Sequence, residues 1–83
     1  MILLDARSLR EKTAAHRYLK EALGLPEYYG CNLDALYDCL TELDETCIRF
    51  VNLEEAAGTY FVNLLSLFQE AQAENPRLHL QYD

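Results

Sequence analysis

Eighty-three residues carrying 14 acidic and 7 basic side chains give a formal charge of −7, enough chain for one small core and a balance that repels a polyanion and attracts a basic partner. Direct nucleic-acid binding is disfavoured on that ground, no apolar run reaches the roughly 20 residues of a membrane helix, and the first residues show neither a basic stretch nor a cleavage signal. Cys31, Cys39 and Cys47 are odd in number and lack CxxC spacing and a companion histidine cluster, which argues against both a disulfide framework and a zinc site.

These bounds predict one cytoplasmic domain over residues 1–83, monomeric when free, with no cofactor or metal. Residues 1–6, MILLDA, form a short run led by four apolar side chains, which suits a strand buried within a sheet. A helix follows with two candidate starts. Ser8 and Glu11 have capping-box spacing, whereas Thr13 is the favoured N-cap. Ala15, Leu19, Ala22 and Leu23 make its apolar stripe, His16 lies beside that stripe as a packing residue, and Gly24 followed by Pro26 ends it.

Pro26 and Gly30 then bracket a tight loop that holds Tyr28 and Tyr29, with Gly30 expected to supply the unusual backbone angles. In the next segment a helical period places Leu33, Leu36, Tyr37, Leu40 and Leu43 on one side and Asp34, Asp38 and Glu42 in an adjoining stripe. Residues 47–53, CIRFVNL, are rich in β-favouring side chains and predict a second strand. LEEAA at 53–57 is either a separate short helix or the start of a longer one, interrupted at Gly58. From Thr59 as N-cap, Phe61, Leu64, Leu65, Phe68 and Ala71 recur at helical spacing, and this third helix stops before Pro76. Residues 77–82 alternate Leu78 and Leu80 with His79 and Gln81, predicting a third strand with one face partly open. Strands separated by helices need crossover connections. The fold class is therefore α/β, a small three-stranded parallel sheet packed with three main helices, most of them on one face.

No calcium-loop pattern, glycine-rich phosphate cradle or GxSxG elbow is present, and Asp34 and Asp38 one turn apart are weak grounds for acid–base or metal chemistry. The chain does not read as an enzyme. An acidic stripe beside Tyr28 and Tyr37 suits a protein partner better, because aromatic anchors bury area at little rotamer cost while charges steer a basic surface. Each residue also has a packing alternative: Tyr29 and Tyr37 as core, and Asp34 as an early-turn carboxylate favoured by the helix dipole.

The stretch LPEYYG, one residue, NLDAL, an aromatic and DCLT, running from Leu25 to Thr41, resembles the loop and second helix of the barstar-like family of ribonuclease inhibitors. KEALGLP and LFQEAQAE agree more loosely with the same family. The resemblance implies an intracellular immunity protein that plugs the active site of a basic ribonuclease or nuclease toxin, its carboxylates standing in for RNA phosphate. It assigns Asp38 to the phosphate site, Asp34 to a further cation and Tyr28 to the catalytic histidine, with Gly30, Asn32, Leu33, Tyr37 and Glu42 around them. Glu70 and Leu67 match a more distant acidic contact and an apolar one. The chain departs from the family pattern at Tyr37, which replaces a tryptophan, at Cys31, which replaces a glutamate, and at Glu42 and Leu43, which replace glycine and a second tryptophan. It is also shorter between the second strand and the last helix. The altered rim implies a target other than barnase, or alternatively an adaptor or regulator using this face for a partner that is not a nuclease.

Overall fold

The computed structural model describes residues 1–55 and 58–82. Strand β1 (Ile2–Asp5) runs into a 3-10 turn, Ala6–Leu9, and helices α1 (Lys12–Leu23) and α2 (Leu33–Thr41) precede strand β2 (Thr46–Val51). A second 3-10 turn, Leu53–Glu55, helix α3 (Thr59–Glu74) and strand β3 (Leu78–Tyr82) complete the order. The sheet order is β1-β2-β3 with both pairings parallel, Leu4 lying opposite Phe50 and Phe50 opposite Tyr82. The expected α/β class and three-stranded parallel sheet are therefore present.

Alternation sorts the strands into two faces. Leu4, Ile48, Phe50 and Leu78 are buried beneath the helices, where the Phe50 ring meets Phe68 of α3 edge-on at 5.2 Å and 88° and stacks on Tyr82 at 5.7 Å. On the opposite face, Leu3, 57% exposed, aligns with Arg49 and Gln81. That open face agrees with the alternation of residues 77–82. One core joins all three helices to the sheet, drawing Leu19 from α1, Leu36 and Leu40 from α2, and Leu64, Phe68 and Ala71 from α3.

Element boundaries differ where local polar groups compete with propensity. Neither Ser8 nor Thr13 caps α1. Glu11 is the N-cap, its carboxylate accepting from the Thr13 and Ala14 amides at 3.1 and 2.8 Å, while Ser8 lies within the first 3-10 turn. Those two bonds hold the Glu11 carboxyl below its ordinary pKa. Strand β2 starts one residue early and ends at Val51, because Asn52 takes a left-handed φ of 59° and turns the chain out of the sheet. The short helix considered at 53–57 is the 3-10 turn at Leu53–Glu55, with positions 56 and 57 outside the described residues. Thr59 is the first helical residue of α3, not its cap, which is Gly58 at φ 98°.

Asn75 closes the molecule behind α2. It is 3% exposed, and its side-chain Nδ2 donates to the Leu40 and Leu43 carbonyls, each at 3.0 Å, while Oδ1 accepts from the Arg77 amide at 3.0 Å. Carbonyls left over at the C-terminal end of a helix need such partners. One side chain thus fastens the end of α2 to the junction of α3 and β3.

Candidate functional site

Gly24 ends α1 in the left-handed conformation, φ 63°, and the Leu25 amide folds back onto the Lys20 carbonyl at 2.9 Å. Pro26 opens a turn closed by the Tyr29 amide, which donates to the Pro26 carbonyl at 2.9 Å. This turn splits the two tyrosines. Tyr28 is 88% exposed, whereas Tyr29 is 6% exposed and belongs to the core.

The left-handed residue of the loop is Cys31, φ 53°, and not Gly30 as the sequence suggested. Gly30 serves another need: a Cβ there would lie 3.1 Å from the Asn32 amide nitrogen, which donates to the Gly30 carbonyl at 3.3 Å. The other end of the same side chain, Asn32 Oδ1, accepts from the Ala35 amide at 2.8 Å and makes Asn32 the N-cap of α2. Asp34 follows in the first turn, where a carboxylate is favoured by the helix dipole.

Asp34, Tyr37 and Asp38 of α2 face Leu67, Glu70, Ala73 and Glu74 of α3 across an open groove of about 580 Å³. Four carboxylates rim it, and among the described residues no lysine or arginine lines it. Tyr37 and Leu67 are half-buried and form part of the groove wall, between the core and partner alternatives that the sequence offers for Tyr37. A second depression of about 510 Å³ lies between the loop and the far half of α2, bordered by Pro26, Tyr28, Gly30, Asp38, Glu42 and Leu43 among others. Asp38 borders both and so stands on the ridge between an acidic groove and a tyrosine-lined hollow.

Of the residues singled out from sequence, Asp34, Tyr37, Asp38, Leu67 and Glu70 meet in the first groove, and Tyr28, Gly30, Asp38 and Glu42 in the second. Asn32 and Leu33 line neither. Asn32 is exposed and engaged as the cap, and Leu33 is half-buried against the core. Glu42 is the C-cap residue of α2, its amide donating to the Cys39 carbonyl at 3.2 Å, with its side chain exposed. Glu74 and Ala73 were not anticipated. Glu74 follows Glu70 by one turn on the same helix face, a spacing legible in the sequence. Among the described residues no three His, Cys, Asp or Glu side chains are placed to share a metal ion, and no helix is long and apolar enough to cross a membrane.

A sequence profile described as Barstar (barnase inhibitor) matches residues 1–82. The chain belongs to the barstar family. It is also 40% identical over 78 residues to the Bacillus subtilis (strain 168) protein named "Putative ribonuclease inhibitor YrdF", a match that covers 88% of this chain and 86% of that one. In this barstar-family member the loop and α2 occupy contiguous surface, and α3 brings Leu67 and Glu70 to the same side of the molecule.

Beneath the loop, His16 of α1 is 1% exposed and hydrogen-bonded through both ring nitrogens: Nδ1 pairs with the Tyr29 hydroxyl and Nε2 with the Tyr60 hydroxyl. Burial, with a smaller contribution from Lys12, holds the imidazole below the ordinary histidine range, and burial raises both tyrosine hydroxyls. A depressed histidine means that the unfolded chain takes up the proton first as pH falls. The contribution of His16 to stability is complete above about pH 6.5 and is lost progressively below it, until the folded form is protonated too. Thermal midpoints should decline through this window on acidification. The window is distinct from the more acidic one in which Asp5, depressed by its bonds to Arg7, and Glu11 are protonated.

Proposed function

We propose that this chain is an intracellular inhibitor that binds a basic microbial ribonuclease or related nuclease toxin and blocks its active site. The supporting observation is the groove between α2 and α3, in which Asp34, Asp38, Glu70 and Glu74 surround Tyr37 and Leu67 beside an almost fully exposed Tyr28. Membership of the barstar family and the name of the Bacillus subtilis relative point the same way. A ribonuclease active site presents cations to hold RNA phosphate. Carboxylates already ordered on a helix offer those cations an anion that cannot be cleaved, at little entropic cost. Asp38 occupies the phosphate position, Asp34 and Glu70 pair with flanking cations, and Tyr28 covers the catalytic histidine. Gly30, Asn32, Leu33, Tyr37, Glu42 and Leu67 complete the contact. The target differs from barnase because Glu42 and Leu43 make the far edge more acidic and less aromatic than the family pattern.

Inhibition of a panel of ribonucleases, including any encoded beside this gene, tests the reading. A chain that slows none of them, or that recovers only non-nuclease partners through the Asp34 and Asp38 face, would turn the assignment toward an adaptor. Tyr28→Ala separates recognition from folding. Because the ring is 88% exposed, unfolding free energy should stay within about 0.5 kcal/mol of the parent, while inhibition weakens by about 2 kcal/mol or more if Tyr28 anchors the interface. Parallel urea titrations and inhibition curves measure both.

A further inference from the structure

The His16 imidazole joins the two parts of the recognition surface. One ring nitrogen holds Tyr29, the buried neighbour of Tyr28 in the loop, and the other holds Tyr60 in the first turn of α3, the helix that carries Leu67, Glu70 and Glu74. Both tyrosine rings lie 5.8 Å from the imidazole centroid, inclined at 45° and 68°. The groups facing His16 are thus Tyr29 from the loop, Tyr60 from α3 and, one turn earlier on its own helix, Lys12 as the neighbouring charge. Among the described residues, no carboxylate is hydrogen-bonded to it.

A neutral imidazole has one N–H donor and one bare nitrogen acceptor. It therefore donates to one tyrosine oxygen and accepts from the other hydroxyl, and in either tautomer both bonds are made. An imidazolium has two donors and no acceptor. The tyrosine that had been donating must then turn its hydrogen away from the ring, at a site 1% exposed. Burying a charge or an unpaired donor in that way is costly. The strain falls on whichever element can yield, and the loop, held through few backbone bonds, yields more readily than the 16-residue α3.

We propose that His16 is a positioning residue that locks the Tyr28–Tyr29 loop to α3 only while its imidazole is neutral, so that mild acid loosens the recognition surface before the fold is lost. The consequence for partner binding rests on the inhibitor reading, but the coupling itself is a property of the free chain. It is tested on the intact free protein by NMR titration from about pH 8 to 5, the range in which histidines change charge. The His16 ring signals should titrate with a midpoint below the roughly 6.5 of an unperturbed histidine. The amides of Tyr28, Tyr29, Gly30 and Cys31 should move with that same midpoint, while far-UV dichroism stays constant. Tyr60→Phe keeps the ring and removes one hydroxyl; exchange of the Tyr29 amide should then rise about fivefold at neutral pH, as for the loss of one net hydrogen bond.

Loop amides that hold still through the His16 titration would overturn the proposal. So would loop amides that follow His79, which lies beside Glu45 near the open sheet face, or a His16 that titrates only as the whole chain unfolds. Unchanged Tyr29 exchange in Tyr60→Phe would reduce His16 to a packing residue. A chain that inhibits no ribonuclease leaves each of these results intact, so failure of the coupling and failure of the functional reading are told apart.

Discussion

Asp38→Ala should weaken the complex with an inhibited ribonuclease by about 2–5 kcal/mol, the range for truncating one member of a buried, hydrogen-bonded charge pair. That corresponds to roughly 30-fold to several-thousandfold in the inhibition constant. Measured charge pairs of the barnase–barstar complex itself contribute to that range, so it is a family value applied to this chain. Position singles out Asp38 for the role: it stands on the ridge between both depressions, and its exposed carboxylate makes no ion pair or hydrogen bond among the described residues. Its removal should leave the urea midpoint of the free chain nearly unchanged. The loss should appear mainly as faster dissociation, whereas added salt should chiefly slow association. Stopped-flow binding at two ionic strengths measures both rates, and full-strength inhibition by Asp38→Ala would remove the phosphate-mimic mechanism.

Asn75→Ala should cost about 1–3 kcal/mol of folding free energy, because the loss of one side chain removes three hydrogen bonds at a buried site, although the Leu40 carbonyl keeps a longer bond from the Leu43 amide. Against the roughly 4–12 kcal/mol expected for a chain of this size, that is a large share. Asn75→Asp is the sharper probe. Its carboxylate cannot donate, so an anion would face the Leu40 and Leu43 carbonyl oxygens at a site 3% exposed. Burial against two carbonyl oxygens raises the folded pKa of such a group, opposed only in part by the bond it keeps from the Arg77 amide. Part of its stability should therefore return below that raised value and be lost as pH rises through it. Urea unfolding at acidic and neutral pH measures the difference. An Asn75→Ala chain within about 0.5 kcal/mol of the parent would show that the end of α2 is held by packing alone. If the variants fold, inhibition should suffer too, since Glu42 and Leu43 border the hollow beside Asp38.

Much of the architecture was legible because hydrophobic period is a local signal. Phe61, Leu64, Phe68 and Ala71 announced α3 and are buried, and the alternation of Leu78 and Leu80 with His79 and Gln81 announced both β3 and its open face. Errors gathered at boundaries and turns, where one polar group decides. Glu11 outcompetes Ser8 and Thr13 as cap because its longer side chain reaches two amides at once. Asn52 ends β2 two residues before the apolar pattern does, and Cys31 takes the backbone angle expected of Gly30. Propensity ranks residue types, but it does not register which amide stands within reach.

The candidate site divides in the same way. Tyr28, Asp34 and Asp38 could be chosen from the LPEYYG and NLDAL phrases, since all three lie within one loop and the helix it feeds. The parallel pairing of the strands, the charge and the two-faced character of α2 likewise follow from neighbours along the chain. The convergence of Glu70 and Glu74 with Asp34 and Asp38 in one groove is instead set by α2 packing on α3, more than thirty residues apart in sequence. Folding also separated adjacent tyrosines, sending Tyr28 to solvent and Tyr29 inward to His16, and it brought Tyr60 to the other side of that ring. A histidine beside an apolar stripe reads as packing. Its two hydrogen bonds form only when the fold brings the loop and α3 to opposite sides of the ring.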